Sequence, residues 1–201
     1  MKKRIYIAVC LALGTILMLT LYLPGIRPEN KGFQTTPETQ NAAIGGTFEM
    51  VNHNGNPVTE QILNGRYSLI YFGFTFCPDI CPLTLQIMTD AINRLDDGAA
   101  EKINLVFVSL DSQRDTVENV AQYINHFHPR FIGLTGSADQ VRKTAETFRV
   151  FYKKRVLGDG KDYTLDHSGF TYLMDQNGKY LDHFDRNVTV DKIVSHLSFL
   201  E

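Results

Sequence analysis

The stretch YSLIYFGFTFCPDICPLTLQIMTDAINRL, residues 67–95, predicts a buried strand, a cysteine-containing turn and a helix in direct succession. The run Tyr67–Phe74 is apolar and aromatic, which is typical of a strand in the centre of a sheet. The chain then turns over Cys77–Pro82. Apolar residues recur at helical spacing after the turn, at Leu85, Met88, Ile92 and Leu95. A strand that leads through a turn into a helix favours an α/β domain.

Further strands and helices alternate along the rest of the domain. Residues 45–59 predict a hairpin around His53–Asn56. The other predicted strands are Ile103–Leu110, Arg130–Leu134, Val150–Val156, Gly169–Met174 and Lys179–Phe184. The other predicted helices are one capped by Asp115, with Val117, Val120, Ile124 and Phe127 inside, then Ser137–Phe148 and Thr189–Leu200. This order predicts a mixed central sheet and suits the thioredoxin architecture. In such sheets sites form beyond the carboxyl ends of strands, where Cys77 and Asp111 lie.

The first 43 residues predict a membrane anchor and a linker. Residues 1–4 contain a basic cluster, and residues 5–23 are uncharged and match the roughly 20 apolar residues that cross a bilayer core. Because basic residues favour the cytoplasmic side, we expect the N-terminus in the cytoplasm and the domain on the periplasmic side of the inner membrane. Residues 24–43 are rich in Pro, Thr, Asn and Gln, which indicates a linker. The folded domain is expected over residues 44–201.

Two alternatives for the apolar segment are less favoured. A cleaved signal peptide has a shorter apolar core and a small-x-small site after it, whereas here the sequence continues as PGIRP, residues 24–28. Lipidation of Cys10 is disfavoured because only five residues separate it from the basic cluster. We therefore expect a single uncleaved transmembrane helix.

The composition is that of a globular protein with no polyanionic partner. The 201 residues are 43% hydrophobic and 21% charged, with a formal net charge of −2 and a pI near 6.3. This balance gives no reason to expect nucleic acid as a partner. The chain has three cysteines and six histidines. Any site built from so few must join distant parts of the sequence.

Cys77 and Cys81 are the cysteines of the exported part, and they suit a structural disulfide, a redox couple or a metal site. A structural disulfide is disfavoured because closing so short a loop restricts the unfolded chain little. At the start of a helix, the C-x-x-x-C spacing is expected to place both sulfurs about one turn apart on one face. The helix dipole there favours thiolates, which serves a redox pair and a metal pair equally.

The spacing and a histidine favour a metal site. Thioredoxin-type dithiols use C-x-x-C, and the peroxiredoxin pattern P-x-x-x-T-x-x-C would need a proline at Ile70 and a threonine at Phe74. Where thioredoxin-like enzymes have a cis-proline before the late strand, this chain has Asp166, His167 and Ser168. A histidine facing two thiolates completes a Cys₂His set that suits copper(I) and, with an open fourth position, copper(II). Zinc also uses Cys₂His in catalytic sites and is the less favoured metal.

Four ordered segments resemble the Sco/SenC family of copper proteins. They are CPDICPLTL, FVSLDSQRDT, HFHPRFIGLTGS and DHSGFTYLMDQNGKY. The resemblance runs from about residue 44 to the C-terminus, and an anchor followed by a linker is also the layout of the family. It implies a thioredoxin-like domain that binds Cu(I) or Cu(II) through Cys77, Cys81 and His167.

The resemblance also implies partners and supporting residues. The family assembles cytochrome c oxidase, chiefly its dinuclear copper A centre, by delivering copper or by reducing the cysteines of that centre. The implied partners are the subunit that carries copper A and, in addition, another copper chaperone or a thiol reductant. Asp111, Asp79 and Asp166 are implied to support the ligands. Ser112 stands where relatives often have a proline, a small departure from the pattern.

Three functions compete on this evidence. The first is a copper metallochaperone that turns over no substrate. The second is an extracytoplasmic thiol–disulfide oxidoreductase without a stable metal, in which Cys77 and Cys81 are catalytic. The third is a membrane-tethered interaction domain with an incidental disulfide. Whether the protein is an enzyme depends on this choice, and the Cys₂His set favours the first function.

Overall fold

A computed structural model describes residues 44–158 and 160–198. The strands are β1 (Glu49–Asn52), β2 (Pro57–Thr59), β3 (Tyr67–Gly73), β4 (Ile103–Ser109), β5 (Phe131–Thr135), β6 (Tyr152–Leu157), β7 (Asp162–His167), β8 (Thr171–Met174) and β9 (Tyr180–Phe184). The helices are α1 (Ile80–Asn93), α2 (Asp97–Glu101), α3 (Val117–Ile124), α4 (Ala138–Thr147) and α5 (Val190–Leu197), with a 3₁₀ helix at Glu60–Leu63. Within the described ranges, no helix is long and apolar enough to cross a membrane. The predicted basic tail, anchor and linker, residues 1–43, lie outside them.

Seven strands form one mixed sheet in the order β2-β1-β5-β4-β3-β8-β9. Strands β3, β4 and β5 are parallel neighbours, whereas the outer strands pair antiparallel. In the centre, Tyr71 of β3 pairs with Phe107 of β4 on one side and with Thr171 of β8 on the other. Strand β4 is buried along its whole length, as its continuous apolar sequence predicts. The predicted α/β class, with a mixed sheet of the thioredoxin type, is confirmed.

Hydroxyl side chains set the starts of three helices. Thr116, Ser137 and Thr189 each accept a hydrogen bond from an amide in the first turn of α3, α4 and α5, which satisfies amides that have no partner inside the helix. The sequence predicted Asp115 as the cap of α3, and this is wrong. Thr116 caps the helix, and Asp115 is turned into the core with 1% of its surface exposed.

Asp115 joins the ends of the three parallel strands. Its Oδ2 accepts hydrogen bonds from the Ser109 hydroxyl at 2.5 Å and from the Thr75 amide at 3.0 Å. Its Oδ1 accepts the Thr75 hydroxyl at 2.6 Å, and its carbonyl oxygen accepts the Thr135 hydroxyl at 2.6 Å. Burial raises the pKa of this carboxyl, and the hydrogen bonds from Ser109 and Thr75 oppose that shift. The chain is thus fixed at Thr75, two residues before Cys77.

Strands β6 and β7 form a two-stranded sheet separate from the large one. Tyr152 pairs with His167 at its base, and β6 is exposed along most of its length. In β7, Leu165 is the buried residue. The sequence predicted β6 but not β7, because DYTLDH contains two aspartates, which are depleted in strands. His167 therefore ends a strand and does not lie in a connection just before β8.

We expect Asp115→Ala to lower the free energy of unfolding by about 2–4 kcal/mol, because the Thr75 amide and the Ser109 hydroxyl would lose their buried acceptor. Urea denaturation followed by circular dichroism measures the change. The control is Asp191→Ala, which removes an exposed ion-pair partner of Arg94 and should change stability by at most about 1 kcal/mol. Equal effects of the two substitutions would contradict the role of Asp115.

Candidate metal centre

Cys77 and Cys81 lie on either side of the start of α1. Cys77 is half-buried in the loop after β3, where its amide donates to the Phe74 carbonyl oxygen at 3.2 Å. Cys81 is the second residue of α1 and has no exposed surface. The prediction that one helical face carries both sulfurs is wrong, because the helix begins at Ile80, after the first cysteine. Neither cysteine forms a disulfide.

A glycine at the end of β3 lets Cys81 pack closely against the sheet. A Cβ atom at Gly73 would lie 2.8 Å from Cys81 Sγ, 3.0 Å from the Tyr71 ring and 3.1 Å from the Phe107 ring. The separation from the sulfur is shorter than real Cβ contacts, and the other two are tight, so a side chain here would displace Cys81 Sγ. The Tyr71 hydroxyl also donates a hydrogen bond to Cys81 Sγ at 3.7 Å. The position of Cys81 is therefore fixed from several sides.

His167 reaches the cysteines from the end of β7. Its Nε2 lies 3.7 Å from Cys81 Sγ, and its Nδ1 lies 2.9 Å from the carbonyl oxygen of Ser168. Because a carbonyl only accepts, Nδ1 carries the proton and Nε2 has a free lone pair. The rings of Tyr71 and Phe74 contact the imidazole edge-on, at centroid distances of 6.2 and 5.8 Å. The imidazole is held with Nε2 toward the sulfurs.

The two thiols differ in their pKa values. A hydrogen bond from the Cys81 thiol is the largest of the effects that lower the pKa of Cys77 to about 4, against its partial burial, and the Asp79 amide acts in the same direction. The same hydrogen bond, together with burial, raises the pKa of Cys81. Burial raises the pKa of Tyr71, so the tyrosine remains a donor. Without metal, the site holds one thiolate, Cys77, and one thiol.

Three aspartates were predicted to support the ligands. In the part of the chain that the structure describes, the carboxylates of Asp79 and Asp166 form no hydrogen bond or ion pair with Cys77, Cys81 or His167. The Asp166 carboxylate pairs with Arg155 at 3.2 Å, and half of the aspartate side chain is exposed. Asp79 precedes α1, and its backbone amide, not its carboxylate, contributes to the surroundings of Cys77.

The third predicted aspartate, Asp111, is buried. One carboxylate oxygen of Asp111 accepts a hydrogen bond from the Tyr163 hydroxyl at 2.7 Å, and the other accepts one from Arg114 Nε at 2.6 Å. Asp111 therefore contacts β7, the strand that ends in His167, through Tyr163.

Sequence reasoning missed two residues that contact the ligands. The Ser168 carbonyl oxygen accepts from the His167 imidazole, and a backbone group leaves no signal in residue type. The Tyr71 hydroxyl faces Cys81. A tyrosine inside a strand that is otherwise apolar was the available signal, because a buried hydroxyl needs a partner.

The three predicted ligand residues come together as a donor set that fits a soft metal ion. One sulfur of each cysteine and one nitrogen of His167 all lie within 4.8 Å of one another. Within residues 44–158 and 160–198, no other group of three or more histidine, cysteine or acidic side chains is close enough to hold a metal. Thiolate and imidazole donors suit Cu(I) and zinc, and exclude the hard cations that prefer oxygen.

Comparisons with known proteins agree with this geometry. The model of the SCO1/SenC family matches residues 36–200. A SCO2-like protein of Rickettsia conorii is 44% identical over 188 residues, which cover 91% of this chain and 88% of the relative. The solved structure of Arabidopsis thaliana ScoI with copper bound has a TM-score of 0.74 and 38% identity, covering 79% of this chain and 98% of that one. BsSco, a member of the Sco family of cytochrome c oxidase assembly proteins, shares the fold at a TM-score of 0.59 and 24% identity, over 78% of this chain and 92% of its own.

We expect Cys77 to react with iodoacetamide at a nearly constant rate from about pH 5.5 to 8, because its pKa of about 4 lies below that range. Cys81→Ala removes the main hydrogen-bond donor, so the pKa should rise toward the ordinary value of about 8.5 and the rate should fall steeply below it. Cys81→Ser, which keeps a donor, should give a smaller rise. Mass spectrometry of the alkylated peptide measures the rates. A pKa near 8.5 in the unaltered protein would contradict the hydrogen-bonded thiolate.

Proposed function

The chain belongs to the SCO1/SenC family, and from this premise we propose that it is a membrane-anchored copper metallochaperone that acts in the assembly of cytochrome c oxidase. It binds one copper ion through Cys77, Cys81 and His167. It delivers this ion to the copper A centre of the oxidase, and the subunit that carries copper A is the partner. The copper ion is cargo, so the protein turns over no substrate.

The observation that carries this proposal is the convergence of two thiols and one oriented imidazole. Three donors within 4.8 Å of one another leave room for an ion at the roughly 2.0–2.3 Å bond lengths that imidazole and thiolate make with zinc. The copper-bound structure of the Arabidopsis relative supports copper over zinc. The soft donors also favour Cu(I), which thiolates and imidazole stabilise.

The pKa values of the two cysteines indicate which of them loses a proton when copper binds. Cys77 is already a thiolate at neutral pH, with a pKa of about 4, so it can receive copper without losing a proton. Cys81 carries its proton until a metal binds, because hydrogen bonding and burial raise its pKa. Binding releases that proton, since a metal ligand must be deprotonated. Reprotonation of Cys81 assists release of copper to the recipient.

A thiol–disulfide oxidoreductase is the second candidate, and the adjacent thiolate and thiol favour it. In that reaction Cys77 attacks a disulfide of the oxidase subunit, and Cys81 then attacks the mixed disulfide. The subunit is left with two thiols, and this chain with a Cys77–Cys81 disulfide that a thiol reductant must reduce. This chemistry requires both cysteines but not His167. It is compatible with copper binding at another stage of the same cycle.

Purified wild-type protein is expected to bind one equivalent of copper and, as Cu(II), to show a thiolate-to-copper charge-transfer band. We expect His167→Ala to lose that band and to bind Cu(II) at least about 10- to 100-fold more weakly, the range seen when even an outer hydrogen-bond partner is removed. Metal analysis and visible spectroscopy measure both effects. The matched control is His126→Ala, which removes an exposed histidine distant in sequence from the site.

Full copper occupancy with an unchanged band in His167→Ala would exclude the proposed ligand set. The same variant separates the two candidate functions in cells that lack the protein. Copper delivery requires His167, so His167→Ala should fail to restore cytochrome c oxidase. Restoration by His167→Ala but not by Cys77→Ser would favour the oxidoreductase.

The proposal includes the membrane arrangement that the sequence predicts. Residues 1–4 form a cytoplasmic tail, residues 5–23 the anchor, residues 24–43 the linker and residues 44–201 the extracytoplasmic domain. The uncharged segment after a basic cluster supports this arrangement. Such an anchor would keep the copper site near the membrane-embedded oxidase.

We expect the wild-type protein to remain in the membrane fraction after alkaline extraction. Leu13→Asp should release a large part of it, because an aspartate at the centre of a span costs about 2.5–3.5 kcal/mol of insertion free energy. Gln34→Asp places the same charge in the linker and should have no effect. Quantitative immunoblotting of both fractions gives the result. Recovery of the wild-type protein in the soluble fraction would contradict the anchor.

A further inference from the structure

His167 is placed by a different part of the fold from the two cysteines. Strand β3 and helix α1 place Cys77 and Cys81, whereas β7 belongs to the separate two-stranded sheet. Leu165 is the one residue of β7 that is buried, at 8% exposure. The position of His167 relative to the cysteines therefore depends on the contacts that hold this hairpin against the domain.

The strongest of these contacts join Tyr163 to the loop between β4 and α3. The Tyr163 hydroxyl donates to Asp111 Oδ1 at 2.7 Å, and its backbone carbonyl oxygen accepts from Arg114 Nη1 at 3.0 Å. Arg114 Nε donates to Asp111 Oδ2 at 2.6 Å, which closes a three-residue ring of hydrogen bonds. The guanidinium carbon also lies 3.7 Å from the centre of the Tyr163 ring, within cation–π range.

A second contact connects the other strand of the hairpin to the same loop. Lys154 Nζ donates to Gln113 Oε1 at 2.9 Å and lies 3.7 Å from the centre of the Tyr163 ring. The Tyr163 ring is thus flanked by two cations, from the loop and from β6. Both strands of the hairpin are bound to residues 111–114.

Strand β7 connects the attached residue, Tyr163, to the metal ligand at its end, His167. Every second residue of a strand points to the same face. In β7 one face therefore carries the side chains of Tyr163, Leu165 and His167. At about 3.3 Å per residue, Tyr163 and His167 are roughly 13 Å apart along the strand. Packing of Leu165 alone would allow the strand to tilt about its middle. Fixing Tyr163 as well restricts this tilt, and the contacts of the imidazole with Tyr71 and Phe74 then hold its ring toward the sulfurs.

We propose that Asp111, Arg114 and Tyr163 form a latch that positions His167 over the cysteine pair. The inference rests on the proposed function, and it deepens it by naming what keeps the third ligand in place. With the latch closed the site has three ligands. When the latch opens, Cys77 and Cys81 keep their places on β3 and α1, and the site becomes a two-thiol site. The latch thus controls which of the two chemistries the cysteines perform.

The test uses the full-length protein and the substitution Tyr163→Phe. This change deletes one hydroxyl and keeps the ring, and Asp111 keeps its bond from Arg114, so no buried charge loses its partner. Tyr180→Phe is the matched control, because it deletes a hydroxyl that bonds His183 on the outer strand β9. Arg114→Lys is the second variant, since lysine keeps the charge but cannot bond Asp111 and the Tyr163 carbonyl in the same forked manner.

The first measurement is hydrogen exchange of residues 162–168 in the metal-free protein. Tyr163→Phe and Arg114→Lys should accelerate exchange in this segment, while exchange in β3 and α1 stays unchanged. The second is titration with Cu(II) and Cu(I). We expect Cu(II) affinity to fall about 10- to 100-fold, as for other residues that orient a ligand, and the charge-transfer band to weaken in the direction of its loss in His167→Ala. Cu(I) affinity, which depends chiefly on the cysteines, should fall less. Tyr180→Phe should behave as wild type in both measurements.

The latch proposal would be contradicted if residues 162–168 exchanged hydrogen at the wild-type rate in both variants. Accelerated exchange with unchanged Cu(II) binding would contradict it too, because His167 would then not depend on the hairpin contacts. Equal acceleration throughout the domain would also overturn it, since the residues would then support the fold as a whole. If the wild-type protein binds no copper, the proposed function fails, and the exchange measurement still decides whether the latch exists.

Discussion

A buried carboxylate at the ends of three parallel strands is the constraint on which the site depends. Parallel strands leave polar groups without hydrogen-bond partners where they end, and here Asp115 accepts hydrogen bonds from these groups. It accepts from Thr75 after β3 and from Ser109 at the end of β4, and its carbonyl accepts from Thr135 at the end of β5. Because Thr75 is two residues before Cys77, the same carboxylate that closes the core also determines where the first sulfur lies.

The loop Asp111–Asp115 serves both halves of the site from one short segment. Its last residue holds the chain that leads to Cys77, and its first residue holds Tyr163 on the strand that leads to His167. These two segments are 90 residues apart in sequence, from 77 to 167. Because one loop of five residues contacts both segments, its conformation sets the distance between the cysteines and the histidine.

The sequence predicted the parts of this protein that have a strong periodic or chemical signal. The apolar runs of β3 and β4 and the spacing of Cys77, Cys81 and His167 were sufficient for the sheet and for the donor set. Strand β7 was missed because its short sequence contains two aspartates, a residue type depleted in strands, although Tyr163 and Leu165 alternate with polar residues. Asp115 was mistaken for a helix cap because aspartate is a common cap, and only the fold reveals that it faces the core. The role of Ser168 belongs to its backbone carbonyl, and that of Asp111 depends on its distance from Tyr163 in a remote segment, neither of which residue types encode.

The division of the ligands between two parts of the fold has a consequence for a protein that must both hold and release copper. Cys81 is fully buried, and its sulfur lies so close to the Gly73 backbone that even a Cβ there would collide with it. Moving it would open the core, at a cost comparable to the roughly 2–5 kcal/mol of a large core truncation. Moving His167 with its strand disrupts the two hydrogen bonds that join Tyr163 to Asp111 and Arg114, each contributing about 0.5–3 kcal/mol, and water can replace them on the hairpin side because the hairpin is largely exposed. The imidazole therefore departs at a lower cost than Cys81. On the proposed function, exchange with a recipient begins at His167, and the cysteine pair holds the ion until the recipient supplies its own donors.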